Sequence, residues 1–280
     1  MRPQPKQEQI DDWVQRSLAE DLGPGDITTD ALVDPTVFGR ARIVAKQDMV
    51  LCGVDIARTV FTHLDRGMTC SEERDDGSLL AEGDVLLAVA GKASALLKGE
   101  RTALNILQRL SGIATLTHAF VEKAGPVQIL DTRKTTPGLR VFEKYAVACG
   151  GGINHRFGLF DAVLIKDNHI KMAGGIAAAL ERMQAARPPG LIEIEATNLE
   201  EVEAAVEGGA DVILLDNMSS DLIAKAVTFV DRRARTEASG MMTLERVAEL
   251  AGLGLDCISV GALTHSAPAV DISMNFDLPG

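Results

Sequence analysis

Two rhythms of apolar positions run along the chain and change over near residue 110. Before that point the pattern is mixed. Over residues 10–21, Trp13, Val14, Leu18 and the following Leu22 sit near helical spacing, which predicts a helix. Leu22-Gly23-Pro24-Gly25-Asp26 is turn chemistry. Short β-prone runs follow at residues 41–45, 49–54 and 85–90, punctuated by Gly and Asp. Residues 95–121 read as helical, through Leu104, Leu107, Leu110, Leu116 and Phe120, with a break expected at Ser111-Gly112.

The rest of the chain has a cadence. Short apolar runs at residues 127–130, 162–165, 191–194, 212–215, 236–238 and 257–260 alternate with amphipathic stretches such as 199–207 and 244–251. Asn198 with Glu201 three residues on resembles a capping box, and Gly208-Gly209 a helix stop. Strand, helix, strand with short links predicts parallel strands and right-handed crossovers. Six such units in roughly 150 residues favour a (β/α) barrel-like domain over an open sheet.

The ends of these runs carry the chemistry. Asp131-Thr132-Arg133-Lys134 follows the first, and Lys166-Asp167-Asn168-His169 the second. In Leu191-Ile192-Glu193-Ile194-Glu195, period-two alternation puts Glu193 and Glu195 on one face. Asp216-Asn217, Ser239-Gly240 and Gly261 end the last three. In a parallel barrel these C-terminal ends form one rim, where active sites are built. Polar loops alone account for Asp131 or Asp216 singly. They account less well for an Arg–Lys pair, a further Lys and two carboxylates on the same rim.

Composition narrows the classes. Apolar residues make up 46% and charged residues 24%, which fits a folded globular chain and excludes a disordered one. The net charge of −12 argues against nucleic-acid or anionic-membrane partners. No apolar run approaches the roughly 18 residues of a membrane span, and the polar residues 1–10 show no signal-peptide core. Cys52, Cys70, Cys149 and Cys257 are scattered, which predicts free thiols in a reducing, cytoplasmic setting and no zinc site.

Against this acidic background, residues 131–171 hold seven Lys/Arg and four acids, so +3 there and −15 elsewhere. His155 and His169 lie inside this island, and Gly150-Gly151-Gly152 precedes Asn154-His155-Arg156. A solvated basic face is one reading. A pocket for a compact polyanion is the other, because Arg forks and Lys point charges bind carboxylate and phosphate. The glycine run favours the second, since its ordering cost implies a sharp turn or a close approach to a ligand. Glu195 and Asp216 fall one βα unit apart. Opposite a polyanion they suit Mg²⁺ or ribose hydroxyls, and each also suits a Lys or Arg partner. Ser239-Gly240 and Gly261-Ala262, at strand-to-helix junctions, suit phosphate binding by backbone N–H groups. No P-loop or dinucleotide-binding glycine motif is present.

Several long motifs match one family. Glu100-Arg101-Thr102-Ala103-Leu104-Asn105, Leu110-Ser111-Gly112-Ile113-Ala114-Thr115 and Asp131-Thr132-Arg133-Lys134-Thr135-Thr136-Pro137-Gly138-Leu139-Arg140 are three of them. The Gly150–Gly152 run with His155-Arg156, Lys166-Asp167-Asn168-His169 and Val260-Gly261-Ala262-Leu263-Thr264-His265-Ser266 complete the set. Together they resemble quinolinate phosphoribosyltransferase, over nearly the whole chain.

The resemblance implies an α/β fold: an N-terminal α/β sandwich over residues 1–112, joined by a tail at 270–280, and a (β/α) barrel-like domain over 113–269. It implies transfer of phosphoribose from phosphoribosyl pyrophosphate to quinolinate with loss of CO2, using Mg²⁺. By the same resemblance Arg101, Thr132, Arg133, Lys134, His155, Arg156 and Lys166 bind quinolinate. Lys134, Glu195, Asp216, Ser239, Gly240, Met241 and Gly261 bind phosphoribosyl pyrophosphate, and Glu195 and Asp216 hold the metal. Lys134, Lys166, Glu195 and Asp216 are the catalytic set. The family forms homodimers in which Arg101 crosses to the neighbour's site; assembly into hexamers is left open.

One position departs from the pattern. The family usually carries Gly, sometimes Asn, where Met241 stands, and Met is costly there if φ is positive. Other readings use the same residues. Lys166 as a Schiff-base amine would make an aldolase or lyase. A non-catalytic metabolite sensor, a transferase for another pyridine, or the family's branch linked to molybdenum transport genes would share most of the pocket.

Overall fold

The computed structural model describes residues 4–72 and 74–277. Residues 1–3, at the polar start of the chain, and 278–280, at the end of the expected tail, lie outside the described residues. The first elements in chain order are α1 (Gln7–Leu22), α2 (Ile27–Leu32), β1 (Phe38–Ala45), β2 (Met49–Val50), α3 (Val54–Leu64), β3 (Thr69–Glu72), β4 (Leu79–Leu80), β5 (Val85–Lys92) and α4 (Ala93–Ala124). Then come β6 (Gln128–Leu130), α5 (Arg140–Cys149), β7 (Val163–Ile165), α6 (Asp167–Ala173), α7 (Ile176–Ala186), β8 (Ile192–Ala196), α8 (Leu199–Glu207) and β9 (Val212–Asp216). The chain ends with α9 (Ser220–Val230), β10 (Arg235–Ser239), α10 (Leu244–Leu250), β11 (Cys257–Ser259), α11 (Ala262–His265) and β12 (Ile272–Asp277). No helix among the described residues is long and apolar enough to cross a membrane.

The chain packs as two compact units. One comprises Met1–His118, Val141–Gly151 and Ala267–Gly280. Its main sheet has the order β12-β1-β5-β3, and every neighbouring pair is antiparallel. The tail thus returns to the N-terminal sheet, pairing Ala45 with Ile272 and Ala41 with Phe276. Alternation along β1 buries Ala41, Ile43 and Ala45, the period-two signature of a half-buried strand.

Two local expectations change here. The β-prone run at 49–54 keeps strand geometry only at Met49–Val50, and α3 begins at Val54. The Asp76 carboxylate accepts the N–H groups of Gly53 (2.9 Å) and Val54 (3.1 Å), so a side chain from 23 residues away starts this helix. Nor does α4 break at Ser111-Gly112. The Ser111 hydroxyl accepts the Cys52 N–H and donates to the Cys52 carbonyl. A Cβ on Gly112 would lie 2.1 Å from the Pro268 carbonyl oxygen. The glycine is there for close backbone packing, which leaves the helix intact.

The other unit comprises Ala119–Arg140 and Gly152–Ser266. Its six strands have the order β6-β11-β10-β9-β8-β7, and all pairs are parallel. This is the barrel-like βα succession expected, with β6 and β7 as its edges. Asn198 caps α8 by accepting the Glu201 N–H at 3.0 Å. The Glu201 carboxylate reaches one residue further than a capping box, to the Thr197 N–H at 2.7 Å. Parallel pairing places the ends of all six strands on one side of the unit.

Candidate active site

That rim is built strand by strand. After β6, Asp131 is fully buried and anchors the loop opposite it: Oδ1 accepts the His155 N–H (2.8 Å) and Oδ2 the Asn154 amide (2.6 Å). Thr132 Oγ1 accepts the Lys134 N–H at 3.0 Å, turning the chain so that Arg133 and Lys134 stand exposed. Arg140 braces this loop, donating to Thr135 Oγ1 (2.9 Å) and to the Phe157 carbonyl (3.0 Å). On the far side, Thr264 Oγ1 donates to the Lys134 carbonyl at 2.7 Å. A Cβ on Gly261 would come within 2.9 Å of Lys134 Cδ, so this glycine makes room for the lysine stem.

Arg156 Nη1 donates to the Ala162 carbonyl at 3.2 Å. Burial, followed by the neighbouring charge of Arg133, lowers the Arg156 pKa, with Glu193 and Asp161 acting the other way. The two guanidinium groups therefore feel each other. Lys166, at the end of β7, lies 3.7 Å from Glu195 Oε2 at the end of β8. Burial raises the Glu195 pKa, Lys166 opposes this, and Asp216 and Asp167 add to it. Asp216 is held from both sides, accepting from Ser239 Oγ (2.9 Å) and the Asn217 amide (2.7 Å).

The β10 turn is tight. Gly240 has φ +135°, and a Cβ there would lie 2.5 Å from Asn217 Oδ1. Met241 stays outside the left-handed region and its side chain is 92% exposed. The cost that a positive φ would impose on Met therefore does not arise, and its N–H keeps its place after Gly240.

A second layer lies beneath the cations. Glu193 and Glu237 are 5% and 2% exposed. His155 Nε2 is 2.9 Å from Glu193 Oε2 and 3.8 Å from Glu237 Oε2. Among the described residues, Oε1 of each glutamate is buried without a hydrogen-bond partner. Burial, and then the charge of Glu193, pushes Glu237 up to about 7. The period-two pattern had placed Glu193 beside Glu195. Glu237 was the missed residue, and its signal was a carboxylate in the middle of an otherwise buried strand, Thr236-Glu237-Ala238.

Thr132, Arg133, Lys134, His155, Arg156 and Gly261 are thus linked by contacts or mutual electrostatic influence, and so are Lys166, Glu195, Asp216, Ser239 and Gly240; both sets follow the C-terminal ends of the parallel strands. Among the described residues, Arg133, Lys134 and Arg156 form no close ion pair, although Glu193 and Asp161 act electrostatically on Arg156. Arg101 lies in the other unit, exposed on α4. Part of the basic island does not belong to the rim. Lys144 is 3% exposed in the first unit, and Lys171 pairs with Asp167 at 3.1 Å on the surface of α6. The glycine run also serves packing. A Cβ on Gly150 would lie 2.3 Å from the Ala114 carbonyl oxygen, and Gly151 has φ +91°. A cavity of about 780 Å³ opens at the opposite, N-terminal ends of the strands, lined by Asp211, Arg235 and Asp256, and contains no rim residue.

Comparison with known proteins covers both units. The family "Quinolinate phosphoribosyl transferase, C-terminal domain" matches residues 113–275, and its N-terminal counterpart matches residues 26–111. A probable nicotinate-nucleotide pyrophosphorylase (carboxylating) of Synechocystis is 44% identical over 272 residues, 95% of this chain and 92% of that protein. The crystal structure of NadC from Streptococcus pyogenes superposes with a TM-score of 0.94 at 42% identity, covering 97% of each chain. The nicotinate-nucleotide pyrophosphorylase of Francisella tularensis gives a TM-score of 0.95 at 38% identity over 99% of each chain.

Proposed function

The chain belongs to the quinolinate phosphoribosyltransferase family, and from that premise we propose how its rim carries the reaction. Quinolinate and phosphoribosyl pyrophosphate combine to give nicotinate mononucleotide, pyrophosphate and CO2, a step of NAD biosynthesis. The single observation that supports this rim as the site is the placement of Arg133, Lys134, Arg156 and Lys166 on the same side of the parallel sheet as the acid pair Glu195 and Asp216.

Quinolinate is a dicarboxylate, and Arg133, Arg156 and Lys166 supply the charge and the forks to hold it. Thr132 shapes the turn that presents them, and His155 lies under Arg156. Lys134 stands between the two substrates. Ser239, Gly240, Met241 and Gly261 offer a hydroxyl and backbone N–H groups to the 5′-phosphate at the last strands, where barrels commonly hold phosphate.

Mg²⁺ fits the acid pair. Burial, with Asp216 adding to it, raises the Glu195 pKa in spite of the opposing Lys166, and the two carboxylates are oxygen donors that suit a hard cation. Glu195 and Asp216 would hold the ion together with substrate oxygens, where it would neutralise charge on the departing pyrophosphate.

The C1′–O bond to pyrophosphate loosens first, and the lone pair of the pyridine nitrogen forms the new bond to C1′. The nitrogen becomes a pyridinium, which draws the electrons of the adjacent C–CO2⁻ bond into the ring carbon as CO2 leaves. That carbon then takes up a proton. Arg133, Arg156 and Lys166 fix the ring nitrogen in line with C1′, and this positioning supplies much of the rate. No covalent intermediate with the protein is needed. All four cysteines are free thiols, which suits the reducing cytoplasm.

The test is turnover by the purified protein of quinolinate, phosphoribosyl pyrophosphate and Mg²⁺, with nicotinate as control acceptor and Lys166→Ala alongside. Nicotinate mononucleotide and CO2 should form from quinolinate alone, and Lys166→Ala should lose at least about a hundredfold in kcat/KM. Equal turnover of nicotinate, or an undiminished Lys166→Ala variant, defeats the reading.

A further inference from the structure

His155 occupies an unusual position: both ring nitrogens already have partners inside the protein. The Arg156 backbone N–H donates to Nδ1 at 2.8 Å. Nδ1 must therefore be without a proton, which places the ring proton on Nε2, 2.9 Å from Glu193 Oε2. The imidazole is neutral and in one tautomer. It joins a buried carboxylate on β8 to the main chain at Arg156.

A metal is the obvious competitor, because His155, Glu193 and Glu237 offer ligand atoms within 4.8 Å of one another. The hydrogen bonds decide against it. A neutral imidazole bound to metal through Nε2 carries its proton on Nδ1, and there it would meet the Arg156 N–H head on. The cluster is built to place a proton.

We propose that Glu193 is a positioning residue: through His155 it fixes the main chain at Arg156, and so sets the guanidinium that faces quinolinate. The loop has two anchors. Asp131 accepts the His155 N–H at 2.8 Å and the Asn154 amide at 2.6 Å. Glu193 secures the His155 ring. Glu193 also favours the charged form of Arg156, opposing burial and the nearby Arg133. A loop that carries three consecutive glycines needs such anchors, since glycine gives up the most conformational freedom on ordering. The inference rests on the proposed function only for the identity of the anion at Arg156.

The test begins with the unaltered full-length protein. Nitrogen-15 NMR of its histidines, with His155 assigned by its loss in His155→Asn, should show Nδ1 unprotonated and Nε2 protonated. Glu193→Ala should raise the KM for quinolinate about tenfold or more while the KM for phosphoribosyl pyrophosphate stays within about twofold. His155→Asn, whose Oδ1 replaces Nδ1 as acceptor for the Arg156 N–H, should keep a lower quinolinate KM than His155→Ala. A protonated Nδ1 in the unaltered protein overturns the proposal. So does an unchanged quinolinate KM in Glu193→Ala, or an equal rise in both KM values. Should the unaltered protein turn over no quinolinate, the functional reading falls and the tautomer alone decides this one.

Discussion

At the scale of the residue, the rim is a problem of unlike charges kept at short range. Lys166 and Glu195 are 3.7 Å apart, yet burial still raises the Glu195 pKa. Beneath them Glu193 and Glu237 share a pocket with one histidine and leave two carboxylate oxygens without partners. Burial first, and then the charge of Glu193, against the opposing His155, moves Glu237 from its ordinary 4.5 to about 7. Its pKa is raised by folding. The stability it contributes is therefore full below about pH 4.5 and is lost as pH rises through about 7. Glu237→Gln removes that loss. Denaturant melts should show the variant more stable than the parent at pH 8, by on the order of 3 kcal/mol. The advantage should vanish near pH 4. An unchanged pH dependence would mean that the pair is solvated in solution.

At the scale of the element, helix α4 sets local propensity against packing. Gly112 lies in its interior, where alanine is intrinsically the better helix former by about 1 kcal/mol. The close approach of the Pro268 carbonyl, 2.1 Å from where a Cβ would stand, reverses the sign. Gly112→Ala should destabilise the protein by about 2 to 3 kcal/mol, read as a lower denaturation midpoint; a gain in stability would show that the two segments part easily. The same element shows what sequence patterning conveys. The run of Leu104, Leu107 and Leu110 announces a helix. Ser111-Gly112 reads as a break in it, because the pairing that explains both residues is with Cys52 and with Pro268, neither of which is near in sequence. The start of α3 behaves alike: its cap is Asp76, from a distant loop.

At the scale of the whole molecule, a chain of net charge −12 places Arg133, Lys134 and Lys166 after the ends of parallel strands, and the proposed function assigns these cations to polyanionic substrates. Arg101 is exposed on the first unit and has no assigned work there. The resemblance to the family implies that it completes the site of a second copy of the chain, an expectation that can be tested directly. Mixing Arg101→Ala with Lys166→Ala, each nearly inactive alone, should then restore about a quarter of the normal activity. Half of the random dimers are mixed, and each of these holds one intact site. Activity that stays at the sum of the two separate proteins would place Arg101 outside the site.

The alternation of short apolar runs with amphipathic stretches determined the succession of strands β6 to β11 along the chain and their parallel pairing, because strands joined by short helical links return in the same direction. The residues closing those runs were legible for the same reason: a strand's end is set by the strand. Tertiary structure alone decided which of the charges meet. Lys144 and Lys171 share the basic stretch with Arg156 and Lys166, yet one is buried in the other unit and the other is spent on a surface pair. It also decided the protonation of His155, which depends on hydrogen bonds to its own neighbour and to a carboxylate 38 residues away. Periodicity reports which face of an element is covered. Only packing reports what covers it, and charge and proton placement follow from that.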